Sequence, residues 1–84
     1  MKEILAVKTN QQKMIQVTGI ELTGLLEEFP HISVGQFDRE NTDFTSESTV
    51  GYVAGTVQGP KEEPVRDAWF VSKEFFDENY MRVI

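Results

Sequence analysis

The chain contains no cysteine, one histidine, one tryptophan and three prolines. Without cysteine there is no disulfide framework, no thiolate metal site and no thiol nucleophile. Because small secreted domains usually depend on disulfides, their absence favours a reducing compartment, and we expect a cytoplasmic protein. The first apolar run covers only residues 4 to 7. That run is too short for a signal-peptide core or a membrane span.

Basic residues are also scarce. Eight Lys and Arg stand against 14 Asp and Glu, a net charge of −6. After residue 20 the balance is five basic against thirteen acidic side chains, a net of −8. Direct nucleic-acid binding requires clustered Lys and Arg, so we do not expect it. An acidic surface attracts basic surfaces instead, and enzymes that bind nucleic acid have them.

The length of 84 residues and the hydrophobic share of 39% predict one domain, 1–84, with a small packed core. Hydrophobic patterning predicts an α+β fold built on an antiparallel sheet of about five strands. The expected strands are 2–9, 13–19, 31–37, 49–58 and 68–72, with 81–84 as a terminal candidate, while 59–65 is expected to be a loop. The first two should form a hairpin and the next three a meander.

One amphipathic helix is expected at about residues 20–29. Thr18 and Glu21 have the spacing of a capping box, in which each satisfies the other's backbone N–H. Pro30 disfavours helical geometry at the residue before it, so the helix should end there. The apolar stripe of this helix consists of Leu22, Leu25, Leu26 and Phe29.

A short C-terminal helical turn is expected at about 73–80, capped by Ser72. It would place Phe75, Phe76 and Tyr80 on one side, within a stretch that also contains Trp69 and Phe70. We expect these aromatic rings to fill the core against the sheet. The alternative is that they form a contact surface for a partner.

No pattern in the sequence indicates catalysis, a metal or a cofactor. The serines are outside any G-x-S-x-G motif, and the lone His31 has no recognisable catalytic context. The acidic segment from Asp38 fails as a calcium-binding loop, because Asp43 replaces the required glycine and Thr49 the required glutamate. The glycines match no nucleotide-binding motif. We therefore predict a protein that is not an enzyme.

Acidic residues in two connecting segments are the predicted partner-binding groups. Such a surface would imitate a row of phosphates, with neighbouring aromatic rings as anchors. The alternative is a set of solvated loops. The acidic candidates are Asp38, Glu40, Asp43 and Glu47 in one segment and Glu62 and Glu63 in the other; the anchors are Phe44 and Tyr52. In the expected meander the two segments lie at opposite ends of the sheet.

The C-terminal stretch "STVGYVAGTVQG…DAWFVSKEFFDENYM" resembles the closing part of short uncharacterised bacteriophage proteins. The matching residues are Gly51, Tyr52, Gly59, Trp69, Phe70, Phe76 and Tyr80. This chain lacks the Asp that the family places between the glycine and the tyrosine, and its loop with Pro60 and Pro64 is longer. The resemblance implies a phage source and no activity.

Size, charge and mixed α+β pattern are similar to those of small phage inhibitors, the anti-CRISPR and DNA-mimic proteins among them. The resulting prediction is a phage-encoded interaction protein in the host cytoplasm that inhibits a host nucleic-acid-binding enzyme through its acidic surface. The alternative is a small structural or regulatory domain that acts through homodimerisation or sheet-edge binding.

Overall fold

A computed structural model describes residues 1–7, 11–58 and 63–82. The elements in chain order are β1 (Lys2–Val7), β2 (Gln11–Thr18), α1 (Gly19–Glu28), α2 (Gln36–Asn41), β3 (Thr49–Gln58), β4 (Glu63–Ser72), α3 (Lys73–Asn79) and β5 (Met81–Arg82). The strands form a five-stranded sheet in the order β4-β3-β2-β1-β5, and each neighbouring pair is antiparallel. The predicted α+β class and the hairpin of the first two strands are confirmed.

The two faces of the sheet carry separate cores, because successive strand residues point to opposite sides. We call them the α1 face and the α3 face after the helix packed on each. The α1-face core contains Ile15, Val17, Leu22, Leu25, Ile32, Val34, Val53, Ala68 and Phe70. The α3-face core contains Ile4, Ala6, Met14, Tyr52, Ala54, Val71 and Phe76. The sheet is thus the middle layer between two helices.

Helix α1 begins and ends where the sequence predicts. Thr18 Oγ1 accepts a hydrogen bond from the Glu21 N–H at 3.1 Å, and Glu21 Oε1 accepts one from the Thr18 N–H at 2.9 Å. Both halves of the capping box are therefore present. At the other end, the Phe29 N–H donates to the Leu25 carbonyl and Pro30 follows. The capping box and the proline fix the limits of this helix.

The segment after α1 differs from the prediction. Ile32 and Val34 are buried with Ser33 exposed between them, so the alternation that suggested a strand over 31–37 is real. However, only Ser33 pairs: it forms one parallel bridge to Trp69 at the outer edge of β4. Gly35 then starts α2, which the sequence did not predict. The meander consists of β2, β3 and β4 instead.

Two glycines shape β3. Gly55 has φ of 82° at a register shift against β4, so it forms a bulge that favours glycine. A Cβ at Gly51 would lie 2.2 Å from the Val71 carbonyl oxygen and 2.6 Å from the Phe70 ring. Strand β4 begins at Glu63, so residues 63–65 of the predicted loop over 59–65 belong to a strand instead; 59–62 lie outside the described residues.

Candidate binding groove

Helix α3 places only one of its two phenylalanines in the core. Ser72 Oγ accepts a hydrogen bond from the Phe75 N–H at 3.2 Å and starts the helix, as predicted. Phe76 is 4% exposed and stacks on Tyr52 with 4.0 Å between ring centroids. Successive helical residues are rotated by about 100°, so Phe75 points away from the sheet. It is 46% exposed, which corrects the expectation that both rings are buried.

The exposed ring of Phe75 contributes to a groove between α2 and α3, across the end of β4. This α2–α3 groove encloses about 960 Å³. Phe37 on the α2 side and Trp69 on β4 also line it. Phe37 is 75% exposed and Trp69 is 37% exposed. Large apolar groups gathered at one exposed place mark interaction sites more often than chance exposure does.

Carboxylates surround these rings. Asp38 of α2 and Glu74 and Glu78 of α3 line the same groove. In the part of the chain that the structure describes, none of the three forms an ion pair. The nearby Lys73 lies 2.8 Å from Asp77 instead, and this contact raises the pKa of the Lys73 ammonium. The groove therefore presents three carboxylates that no described cation neutralises.

The outer edge of β4 supplies main-chain groups to the same groove. The Phe70 N–H donates to the Ser33 carbonyl at 2.8 Å, and the Ser33 N–H donates to the Ala68 carbonyl at 2.9 Å. In an antiparallel strand the N–H and C=O of one residue point to the same side, and the side alternates. The Phe70 carbonyl and the Ser72 N–H therefore also point outward. Because the Phe70 side chain packs in the α1-face core, its main chain is what faces the groove.

The Ser72 N–H has no return partner from its own helix. In α1 the third residue after the cap, Glu21, bonds back to the cap N–H. In α3 the corresponding residue is Phe75, which has no acceptor in its side chain. The pairing of this chain with the edge of β4 ends at Ser33, because Gly35 turns away into α2. Among the described residues, neither the Phe70 carbonyl nor the Ser72 N–H takes part in the pairing with Ser33, and both lie at the edge of β4.

The predicted acidic residues are not brought together. Asp38 lines the groove, whereas Glu40 accepts a hydrogen bond from Gln36 at 3.1 Å on the exposed side of α2. Glu47 is exposed in the connecting loop. Glu63 begins β4, at the end of β3 opposite to that loop. Glu62 lies outside the described residues.

Asp43 has a local structural role. Its Oδ1 accepts hydrogen bonds from the Thr45 hydroxyl at 2.6 Å and from the Thr45 N–H at 2.9 Å. These bonds lower the pKa of the Asp43 carboxyl. The same loop is fixed to α1, because the Thr23 hydroxyl donates to the Phe44 carbonyl at 3.0 Å. The loop is therefore a tethered segment and not a free acidic arm.

The two predicted anchors serve the core. Tyr52 is 5% exposed and lies in the α3-face core, which corrects the expectation that its ring is available to a partner. The alternation of apolar residues along β3 predicts that Tyr52 lies on one face of the sheet, but it does not predict that α3 covers that face. Phe44 is half-buried and packs against the α1-face core. Its contacts hold the acidic loop in place.

Sequence reasoning missed most of the groove. Glu74 and Glu78 were passed over, although their i, i+4 spacing puts them on one side of a helix next to Phe75. Phe37 was missed because the predicted strand over 31–37 hid the short helix α2. The signal was present at Glu74, Phe75 and Glu78, where acids flank an aromatic residue on one helical face.

Other chemistry is sparse in the described ranges 1–7, 11–58 and 63–82. His31 is exposed, with its ring edge-on to Phe29 at 6.1 Å between centroids. No group of three or more metal-binding side chains is found there. None of the helices described has the length and apolar character needed to span a bilayer. The chain matches no family model, no curated protein and no solved structure.

Proposed function

We propose that this chain is a non-enzymatic interaction protein that binds a basic protein surface in the α2–α3 groove. The observation that carries the proposal is the meeting of three exposed aromatic rings with three carboxylates that no described cation neutralises. Aromatic rings at the centre of an interface supply most of its binding energy. Carboxylates around them select positively charged partners and accelerate association.

We further propose that the partner is a nucleic-acid-binding enzyme and that binding inhibits it. The basic surfaces of such enzymes are built to receive phosphates, and carboxylates held on a rigid scaffold compete for them. The net charge of −8 after residue 20 supports this, as does the resemblance of the C-terminal stretch to phage proteins. The proposed mode of action is that of phage-encoded inhibitors such as the anti-CRISPR type.

Self-association through the groove is disfavoured by charge. Two copies facing each other would bring together two sets of Asp38, Glu74 and Glu78, and like charges in contact are repulsive. The net charge of −6 on each copy adds to that repulsion. Sedimentation at low salt should therefore show a monomer. A dimer that the double variant Glu74→Gln/Glu78→Gln leaves intact would favour the alternative of homodimerisation.

The test is a matched capture experiment with the complete chain. Wild type, a groove variant (Glu74→Gln/Glu78→Gln) and a control variant (Glu27→Gln/Glu28→Gln) are immobilised and exposed to bacterial lysate. The control makes the same charge change on α1, at the opposite face of the sheet. The proposal predicts a partner that wild type and control retain and the groove variant loses.

The captured partner is then purified and assayed for nucleic-acid binding with and without this chain. Competition that weakens between about 50 mM and about 500 mM salt is the expected result, because exposed charge pairs are screened. A partner that binds the groove variant as well as wild type contradicts the proposal. Binding to the groove with no effect on nucleic-acid binding contradicts its inhibitory part.

A further inference from the structure

Helix α2 is held in place through the segments before and after it. Its six residues bury no side chain. A helix this short is marginally stable on its own in water, because helices gain most of their stability from packing an apolar face. We propose, on the basis of the function proposed above, that residues 35–42 form a flap that closes toward α3 when a basic partner segment occupies the α2–α3 groove. Phe37 is the ring that this flap brings onto the segment.

Both ends of the flap are fixed to the α1 face of the sheet. Before it, Ile32 and Val34 are buried in the α1-face core. After it, Phe44 packs against the same core, and its carbonyl accepts a hydrogen bond from the Thr23 hydroxyl at 3.0 Å. The flap therefore spans two fixed points and can move between them without unfolding the core.

The hydrogen bonds of α2 stay within its own segment. The Asn41 side chain donates to the Phe37 carbonyl at 2.8 Å, inside the helix. Arg39 Nε donates to the carbonyl of Val34, just before the flap, at 3.1 Å. Among the described residues, no hydrogen bond or ion pair joins α2 to α3 or β4. A movement of α2 toward α3 thus breaks no described bond to either element.

The opposite wall of the groove is fixed by packing. Phe76 is 4% exposed, and its ring stacks on Tyr52 at 4.0 Å and on Tyr80 at 5.3 Å between centroids. Trp69, which also lines the groove, belongs to β4 inside the sheet. Close-packed interiors resist displacement. Closure is therefore a movement of α2 and not of α3.

Charge makes closure depend on the occupant. Moving α2 toward α3 brings Asp38 toward Glu74 and Glu78, and like charges repel, so an empty groove stays open. A basic segment between the walls neutralises these carboxylates. The aliphatic stems of its Lys and Arg side chains also offer an apolar surface. Phe37 is 75% exposed, the highest value of any large apolar side chain described, and closure over such a segment buries it.

Hydrogen exchange tests the flap in the free chain. The Arg39 N–H donates to the Gly35 carbonyl and the Thr42 N–H to the Asp38 carbonyl, each at 3.0 Å. Their protection factors should be at least about tenfold below that of the buried Leu25 in α1, because a segment without buried side chains opens locally. Equal protection of the two helices overturns the inference without any ligand.

A spin label tests closure directly. The chain has no cysteine, so Glu40→Cys carries a single nitroxide on the exposed side of α2. Saturation with a capped peptide, Arg-Gly-Arg-Gly-Arg, should at least about double the paramagnetic relaxation of the amides of residues 74–78, since the occupant favours the closed state. The matched label at Glu27→Cys, on α1, should give the same relaxation with and without peptide. Unchanged relaxation from the α2 label overturns the inference.

Phe37→Ala tests the contact that the flap makes. It should weaken peptide binding by at least about fivefold, because aromatic rings dominate interface energies. It should also abolish the increase in relaxation. Ile20→Ala is the matched control, since Ile20 is a 52% exposed apolar residue on α1, and it should bind like wild type. Equal affinities of the two variants overturn the role of Phe37.

The outcomes separate this inference from the proposed function. If α2 stays in place while the captured partner depends on Glu74 and Glu78, the flap is wrong and the proposed function stands. If the partner does not depend on these two residues, the proposed function fails whatever α2 does. Absence of peptide binding overturns the closing step as well, because closure requires a basic occupant.

Discussion

The helices on the two faces of the sheet, α1 and α3, differ in how many residues they bury and in how they are capped. On the α1 face, Leu22 and Leu25 are buried and both halves of the capping box are formed. On the α3 face, Phe76 is the only buried residue of a shorter helix, and its cap is one-sided. The neighbouring Phe75 is left exposed. Helix α1 therefore only covers the α1-face core, whereas α3 covers the α3-face core and also lines the α2–α3 groove.

The largest expected difference is between the adjacent rings of α3. Phe76→Ala removes a buried ring that stacks on Tyr52 and Tyr80, and should lower the free energy of unfolding by about 3–5 kcal/mol. Phe75→Ala should lower it by only about 1 kcal/mol, because Phe75 is 46% exposed and loses less packing. Urea unfolding followed by circular dichroism measures both. Similar losses for the two variants would mean that Phe75 belongs to the core.

The glycines provide a second contrast between packed and open positions. Gly51→Ala puts a methyl group against the Val71 carbonyl and the Phe70 ring, and should cost about 1–3 kcal/mol. Gly24→Ala, on α1, meets nothing within 4 Å and should add about 1 kcal/mol of stability from helix propensity. Thermal unfolding of both variants checks the pair. A stabilising Gly51→Ala would show that β3 and β4 are less closely packed there.

Part of this contrast could be predicted from the sequence and part could not. Thr18, Glu21, Pro30 and Ser72 act locally, so their roles in starting and ending helices follow from spacing alone. Which of two adjacent phenylalanines faces the sheet depends on how α3 docks against Tyr52, a contact distant in sequence. The groove depends on α2, whose residues 36–41 bury no side chain and show no apolar stripe.

The caps of α1 and α3 differ in their response to pH. Burial raises the pKa of Glu21, but hydrogen bonds from the Thr18 N–H and the N-terminal ammonium outweigh it, so the pKa lies below its usual 4.5. The charged form therefore stabilises the fold above that value, and this stabilisation is lost as the pH falls through the folded pKa. Wild type should be more stable than Glu21→Gln near neutral pH.

That advantage should shrink as the pH is lowered from about 5 to about 3. Glu74→Gln is the matched change in the first turn of α3, where no carboxylate of the helix accepts a hydrogen bond from the N–H of the cap residue. It should alter stability less than Glu21→Gln near neutral pH. Urea unfolding at a series of pH values measures both. If the difference in unfolding free energy between wild type and Glu21→Gln were the same at every pH, the charge of Glu21 could not be the cause of that difference.

The smallest expected effect concerns the charge around the single tryptophan, which lies in the groove. Carboxylates near Trp69 concentrate cations and repel anions. The ratio of caesium quenching to iodide quenching should therefore be higher for Trp69 than for a free tryptophan derivative. Glu74→Gln/Glu78→Gln should lower that ratio. Glu27→Gln/Glu28→Gln should preserve it. Equal ratios for all three proteins would mean that the groove acids do not act on Trp69.

The most direct test of the central claim is the emission of Trp69 during titration, at low salt, with a capped peptide of alternating arginine and glycine, Arg-Gly-Arg-Gly-Arg. The account predicts a saturable change in emission that needs the arginine charge and is weakened at least about fivefold by Glu74→Gln/Glu78→Gln. Glu27→Gln/Glu28→Gln should titrate like wild type. No saturable change, or the same titration with a peptide in which citrulline replaces each arginine, would contradict the claim that this groove binds a basic protein segment.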